Sequence, residues 1–163
     1  MKKIMELLQN MKAKNEKKDN KGFSLVELII VIAIMAILVG IVGTQVIPYI
    51  SKSKVAKDQQ ILNSISTAGV AAYSENGLTE DITVEVFKNP AYGADTNEGK
   101  VQAAILAASG FNDLTEFQNA LESDGTIDKV EFKVTAADHQ AITAVSYSGT
   151  EPKYKIKEVK ATL

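Results

Sequence analysis

Lys21-Gly22-Phe23-Ser24-Leu25-Val26-Glu27-Leu28-Ile29-Ile30-Val31-Ile32-Ala33-Ile34 is the stretch that decides the fold. It opens an apolar run in which residues 28–51 contain no Asp, Glu, Lys or Arg, so Glu27 is a single carboxylate at the entrance. A helix crossing a bilayer needs about 20 mostly apolar residues, and residues 23–47 supply that length. Within lipid such a segment satisfies its backbone polar groups only as a helix. A carboxylate at the edge of a span is costly without a partner, which marks Glu27 as a candidate functional residue.

Charge is distributed unevenly around this run. Residues 1–22 carry seven lysines against Glu6, Glu16 and Asp19, a net +4, whereas the rest carries eleven lysines against seventeen acids, a net −6. The lysine-rich flank places residues 1–22 in the cytoplasm and the acidic body outside. An acidic body argues against nucleic-acid binding by bulk charge. The absence of cysteine excludes a disulfide framework, a thiolate metal site and a cysteine nucleophile.

A secretory signal is cut after its apolar region in a small-residue context, and Gly43-Thr44-Gln45-Val46-Ile47-Pro48 is a poor match to one. Length and flanks alone describe an uncleaved N-terminal anchor. The residues ahead of the run change that reading. Gly22, Phe23 and Glu27 before an unbroken apolar segment resemble the N-terminal signature of type IV pilins and pseudopilins, over about residues 20–50. The resemblance implies that a prepilin peptidase/methyltransferase removes residues 1–22 by cutting after Gly22. It also implies N-methylation of Phe23, with Glu27 the fifth residue of the mature chain and the apolar segment the core helix of a filament.

The chemistry is intelligible from the residues. Glycine before the scissile bond lets backbone enter a protease site closely. Cutting there exposes an ammonium at Phe23, one turn from Glu27. Glu27 can neutralise that ammonium in its own chain or in a neighbour. The neighbour option sets axial register, because a mispaired carboxylate among apolar helices costs several kcal/mol. A glutamate that merely snorkels to headgroups is the plainer alternative. In the leader, Ile4, Leu7, Leu8 and Met11 fall at helical spacing, so residues 3–14 suit a small amphipathic helix on the inner leaflet. Translation starting at Met5 or Met11 is the competing explanation.

Helical periodicity continues past the apolar run. Val55, Leu62, Ile65, Gly69 and Ala72 form one stripe, widened by Ile61 and Ala68, with Lys54, Lys57, Asp58 and Asn63 elsewhere. One helix is expected from about Ser24 to Glu75, ending at Asn76-Gly77, where glycine suits a left-handed cap. Its parts are a membrane-spanning or filament-core segment, residues 23–51, and an amphipathic continuation, residues 52–76. Gly40, Gly43 and Pro48 interrupt the ideal helix and suggest a kink or a locally melted stretch, although such residues are also common in spanning helices.

Residues 77–163 read as a globular head. Residues 81–87 suit either a short strand or the start of a helix, and Asn89-Pro90-Ala91-Tyr92-Gly93 is a turn signal. Short helices are expected over residues 100–108 and 113–121, the second opened by an Asp113–Glu116 capping box. Strands are expected near residues 127–135, 141–148 and 154–161. In the first, Val130, Phe132 and Val134 share a face; in the second, Ile142 and Ala144 oppose Thr143, Val145 and Tyr147. The expected fold is therefore α+β, a long N-terminal helix packed on an antiparallel three-stranded sheet.

Little in the head suggests catalysis. His139 is the sole histidine and falls in a turn. Asp95-Thr96-Asn97-Glu98-Gly99 offers oxygen ligands but lacks calcium-loop spacing, so it reads as a solvated loop. Tyr73, Tyr92, Tyr147 and Tyr154 suit packing better than a ligand platform, and no phosphate-binding glycine loop occurs. The expected protein is thus not an enzyme and uses no cofactor or metal. By resemblance it is a type IV pilus subunit for adhesion, motility or aggregation. Its partners would be other pilin subunits, the peptidase and an inner-membrane assembly platform with a separate ATPase. It would reside in the plasma membrane before assembly and in an extracellular filament afterwards. The alternatives are a pseudopilin of a type II secretion or DNA-uptake machine, and an anchored cell-surface binding domain or enzyme.

Overall fold

The computed structural model describes residues 3–6, 9, 23–89 and 91–163. Leu7, Leu8, Met11, Lys21, Gly22 and Pro90, on which parts of the sequence reading fall, lie outside the described residues. The fold is α+β, with a helical run from Leu25 to Glu75. The chain divides into two compact units, Met1–Thr44 and Gln45–Leu163.

The first unit contains α1, Leu25–Ile41. Ser24 precedes it in an extended conformation (φ −61°, ψ 142°), which sets its start. No α1 residue is buried, and apart from Glu27 its side chains are apolar or absent. A helix apolar on every side is suited to lipid or to other apolar helices, not to water. By length and composition the run is long enough to cross a membrane.

Between residues 40 and 48 the backbone stays helical but changes register, as a π-turn at Val42–Val46. Pro48 has no N–H, so the Thr44 carbonyl lacks its ordinary helical donor. The Thr44 hydroxyl also donates to the Gly40 carbonyl (3.2 Å) or the Ile41 carbonyl (3.3 Å). A π-turn is the usual way to accommodate such a disturbed ladder without ending the helix.

The second unit is built on α2, Ile47–Glu75. Its buried face is Asp58, Leu62, Ile65, Gly69 and Ala72, at alternating steps of four and three, widened by Ser66 and Tyr73. Asp58 belongs to this face, whereas the sequence reading set it with the polar side. Gly69 lets the helix approach the sheet closely: a Cβ there would lie 2.6 Å from the Phe132 ring. The helix stops at Asn76, and Gly77 takes the left-handed conformation (φ +61°) that closes the cap.

The sheet has four antiparallel strands in the order β1 (Ile82–Glu85), β2 (Thr126–Thr135), β3 (Gln140–Ser148) and β4 (Val159–Thr162). The expected three-stranded sheet gains β1, because residues 82–85 pair with 131–134 and bury Ile82 and Val84. In β2 a bulge between Ile127 and Lys129 shifts the pleat, so Ile127 joins Val130, Phe132 and Val134 in the core despite its spacing of three. In β3 Ala141 and Thr143 point into the core.

The strand expected over residues 154–161 is shortened to β4, for a reason visible in its burial. Ile156 is buried, yet Val159 and Ala161 also pack against the core. Ile156 and Val159 are three apart and cannot share one face of a regular strand. The chain resolves the conflict by leaving the sheet before Val159. There its backbone is held by side chains: the Gln59 amide donates to the Lys157 carbonyl (2.9 Å) and accepts from the Lys157 N–H (2.8 Å). Tyr147 Oη accepts from the Ile156 N–H (2.9 Å).

Two short helices complete the head. The one expected over residues 100–108 is α3, Asn97–Ser109, starting three residues earlier because Thr96 caps it by accepting from Gly99 N–H (3.0 Å). The other is α4, Leu114–Ala120, capped by Asp113, which accepts from Glu116 N–H (2.8 Å). Glu116 in turn accepts from the Asn112 N–H (2.8 Å), one residue before the expected capping-box donor.

Candidate functional site

The residues singled out at the N-terminal end of α1 form one local arrangement. Phe23 and Ser24 are not helical, and Phe23 is 85 % exposed. Glu27 folds back one turn, and its Oε2 accepts from the Ser24 N–H at 2.8 Å. This satisfies a backbone donor that the helix start would otherwise leave free, and it places a negative charge at the positive end of the helix dipole. The structure therefore brings Phe23, Ser24 and Glu27 together at an exposed helix start. Gly22 lies outside the described residues.

Gly40, Gly43 and Pro48 are not part of that constellation. A Cβ at Gly40 or Gly43 would meet nothing within 4 Å, so no packing among described residues requires glycine there. Pro48 acts locally, next to the π-turn.

The other sequence candidates separate. His139 is exposed with φ +48° at the β2–β3 turn, where its carbonyl accepts from Leu163 N–H (2.9 Å). It shares a shallow surface pocket with Tyr73, Leu78, Thr79, Ala136 and Leu163. The Tyr73 hydroxyl donates to the Glu80 carbonyl (2.8 Å). Burial first, then the charges of Asp81 and Glu80, push its pKa up, so it is a donor rather than a base at neutral pH. In Asp95-Thr96-Asn97-Glu98-Gly99, Asp95 stays in an exposed turn, Thr96 caps α3, and Asn97-Glu98-Gly99 begin the helix. Among the described residues no group of three or more His, Asp or Glu side chains is placed to hold a metal ion. Tyr92 and Tyr147 use their hydroxyls on backbone N–H groups of Glu85 (3.2 Å) and Ile156 (2.9 Å).

Sequence reasoning missed three polar residues that hold the head together. Asp58 is 1 % exposed; its two carboxylate oxygens accept from the N–H groups of Glu122 (3.0 Å) and Ser123 (2.8 Å). Gln102 is buried, its amide donating to the Val86 carbonyl (3.0 Å) and accepting from Tyr92 N–H (3.1 Å). Gln59 is the third, through its paired bonds to Lys157. A signal for Asp58 existed: it falls three after Val55 and four before Leu62, on the apolar stripe.

Residues 17–43 match a family model described as the prokaryotic N-terminal methylation motif, which is the prepilin motif of type IV pilins and pseudopilins. The match ends before α2 and the head. No curated protein and no solved structure matches the chain.

Proposed function

We propose that this chain, which carries the prepilin N-terminal methylation motif, is the structural subunit of a type IV pilus. The observation that carries the reading is a non-helical Phe23 and an extended Ser24 before a fully exposed apolar helix, with Glu27 at its mouth. Hydrolysis of the Gly22–Phe23 peptide bond would leave an α-amino group on Phe23, which as the neutral amine takes a methyl group from the methyltransferase's methyl donor and, reprotonated, carries a positive charge. Glu27 spends Oε2 on the Ser24 N–H of its own chain. Its other oxygen remains to accept from the Phe23 ammonium of a neighbouring subunit, so capping and intersubunit pairing are compatible. The pair would fix the stagger as apolar helices leave the bilayer and pack, and the 77–163 head would face outward. The π-turn that contains Gly43 and precedes Pro48 is the place where the helix would bend or melt in the filament.

N-terminal sequencing and mass of the protein recovered from cells test this. Loss of residues 1–22 and a methyl group on Phe23 are expected; an intact leader on the surface protein would overturn the proposal. The same motif also serves pseudopilins of type II secretion and DNA-uptake machines. Sheared surface filaments composed of this chain select the pilus.

A further inference from the structure

We infer that the end of the Gln45–Leu163 unit where α2 begins is a docking surface for anionic lipid headgroups. This rests on the membrane-anchored reading above. Lys52 of α2 and Lys153, a hundred residues later, converge on one aromatic ring: their Nζ atoms lie 5.6 Å and 5.5 Å from the centroid of Tyr154. The Gln59–Lys157 bonds fix this segment against α2. Lys54 lies in the same helical turn as Lys52 but about 200° around the axis. The lysines thus ring the stem instead of marking one side of it.

Local carboxylates are already engaged. Glu122 pairs with Lys57 (3.0 Å), Glu151 pairs with Lys155, and Asp58 is spent on two backbone N–H groups. Asp124, in the adjacent turn, is the acid that remains to offset the ring. Among the described residues, none supplies a carboxylate partner to Lys52, Lys54, Lys153 or Lys157. Six of the eleven lysines after residue 22 lie at this end, against five of the seventeen acids, of which Glu158 pairs with Lys160. The head is therefore basic at one end and strongly acidic elsewhere.

The position of this ring along the chain identifies the partner. Residues 28–51 are uncharged, a run longer than the about 20 apolar residues that a membrane span needs. The first charges after Glu27 therefore fall in the headgroup layer. Tyr49, 73 % exposed, and Tyr154 supply the aromatic side chains that favour that layer. Each lysine held near an anionic surface strengthens the association about fivefold. Such docking would hold the head down on the leaflet until a subunit is drawn into a filament.

The test uses the full chain reconstituted in phosphatidylcholine vesicles, with or without about 30 % phosphatidylglycerol. A membrane-impermeant amine reagent reports each lysine by mass spectrometry. Lys52 and Lys153 should label at least about fivefold more slowly in the anionic vesicles, with exposed Lys100 and Lys133 unchanged. Raising the salt to about 0.5 M should abolish the difference, and the double variant Lys52→Gln/Lys153→Gln should lose the protection of Lys54. Equal labelling in both vesicles, by chains that float with both, would overturn the lipid proposal alone, as would equal protection of Lys100 and Lys133. A chain that floats with neither vesicle would overturn the anchored reading as well.

Discussion

α1 and α2 belong to the same helical run, yet they are specified by opposite means. α1 buries nothing, has no polar face and holds one charge, at its first turn. α2 buries a narrow stripe that includes a carboxylate and a glycine in contact with the sheet. In α1 a side chain matters through what it will meet after the chain is cut and assembled. In α2 it matters through partners already in the chain. The same substitution should therefore have different consequences in the two halves.

Glu27 offers the strongest way to break this contrast. Glu27→Ala should leave removal of residues 1–22 intact but reduce filament yield by at least about a hundredfold, the scale of an uncompensated buried charge of about 3–5 kcal/mol. Glu27→Gln keeps an acceptor for the Ser24 N–H and loses the charge, so it should fail to assemble to a similar degree. Normal filament numbers in either variant, counted by electron microscopy, would remove the intersubunit pair from the argument.

Asp58→Ala is the counterpart in α2. It strands two backbone donors, Glu122 N–H and Ser123 N–H, that the buried Asp58 carboxylate holds, and should destabilise the head by about 3 kcal/mol in urea unfolding. Asp58→Asn retains one acceptor and should recover roughly half of that. A loss below about 0.5 kcal/mol for Asp58→Ala would show that water replaces the carboxylate without penalty.

Glycine gives a matched pair. Gly69→Ala drives a methyl into the Phe132 ring and should cost about 1–3 kcal/mol of head stability. Gly43→Ala meets empty space in the single chain and should be neutral or stabilising by up to about 1 kcal/mol. Thermal unfolding of both variants in detergent checks the sign; equal effects would erase the distinction between the halves. The smallest effect is expected at Gln59. Gln59→Ala should cost about 1 kcal/mol and accelerate hydrogen exchange at Lys157 N–H, leaving α3 unaffected.

Much of this arrangement was legible before any coordinates. Glu27, Phe23 and the uncharged run stand out because a membrane tolerates so few sequences. The α2 stripe and the C-terminal β region followed from period 3.6 and period 2. What failed did so where two periods collided. Ile156 and Val159 each fit an alternating pattern, but not the same one, and only packing decides where the strand must stop. Ile127 entered the core through a bulge that its own alternation argued against. β1 was ambiguous over seven residues and became a strand because β2 lay available to pair with it.

The sequence by itself determined the membrane-competent helix, its single charged entrance and the α+β class, because these depend on composition, spacing and solvent transfer along one chain. Tertiary structure alone decided that Asp58 would hold the turn after α4 and that Gln59 would stand in for a missing strand partner. It also brought Lys52 and Lys153 to one tyrosine. Those contacts join residues 64 to about 100 positions apart, and hydrogen bonding and charge act through distance in space, which no local pattern encodes.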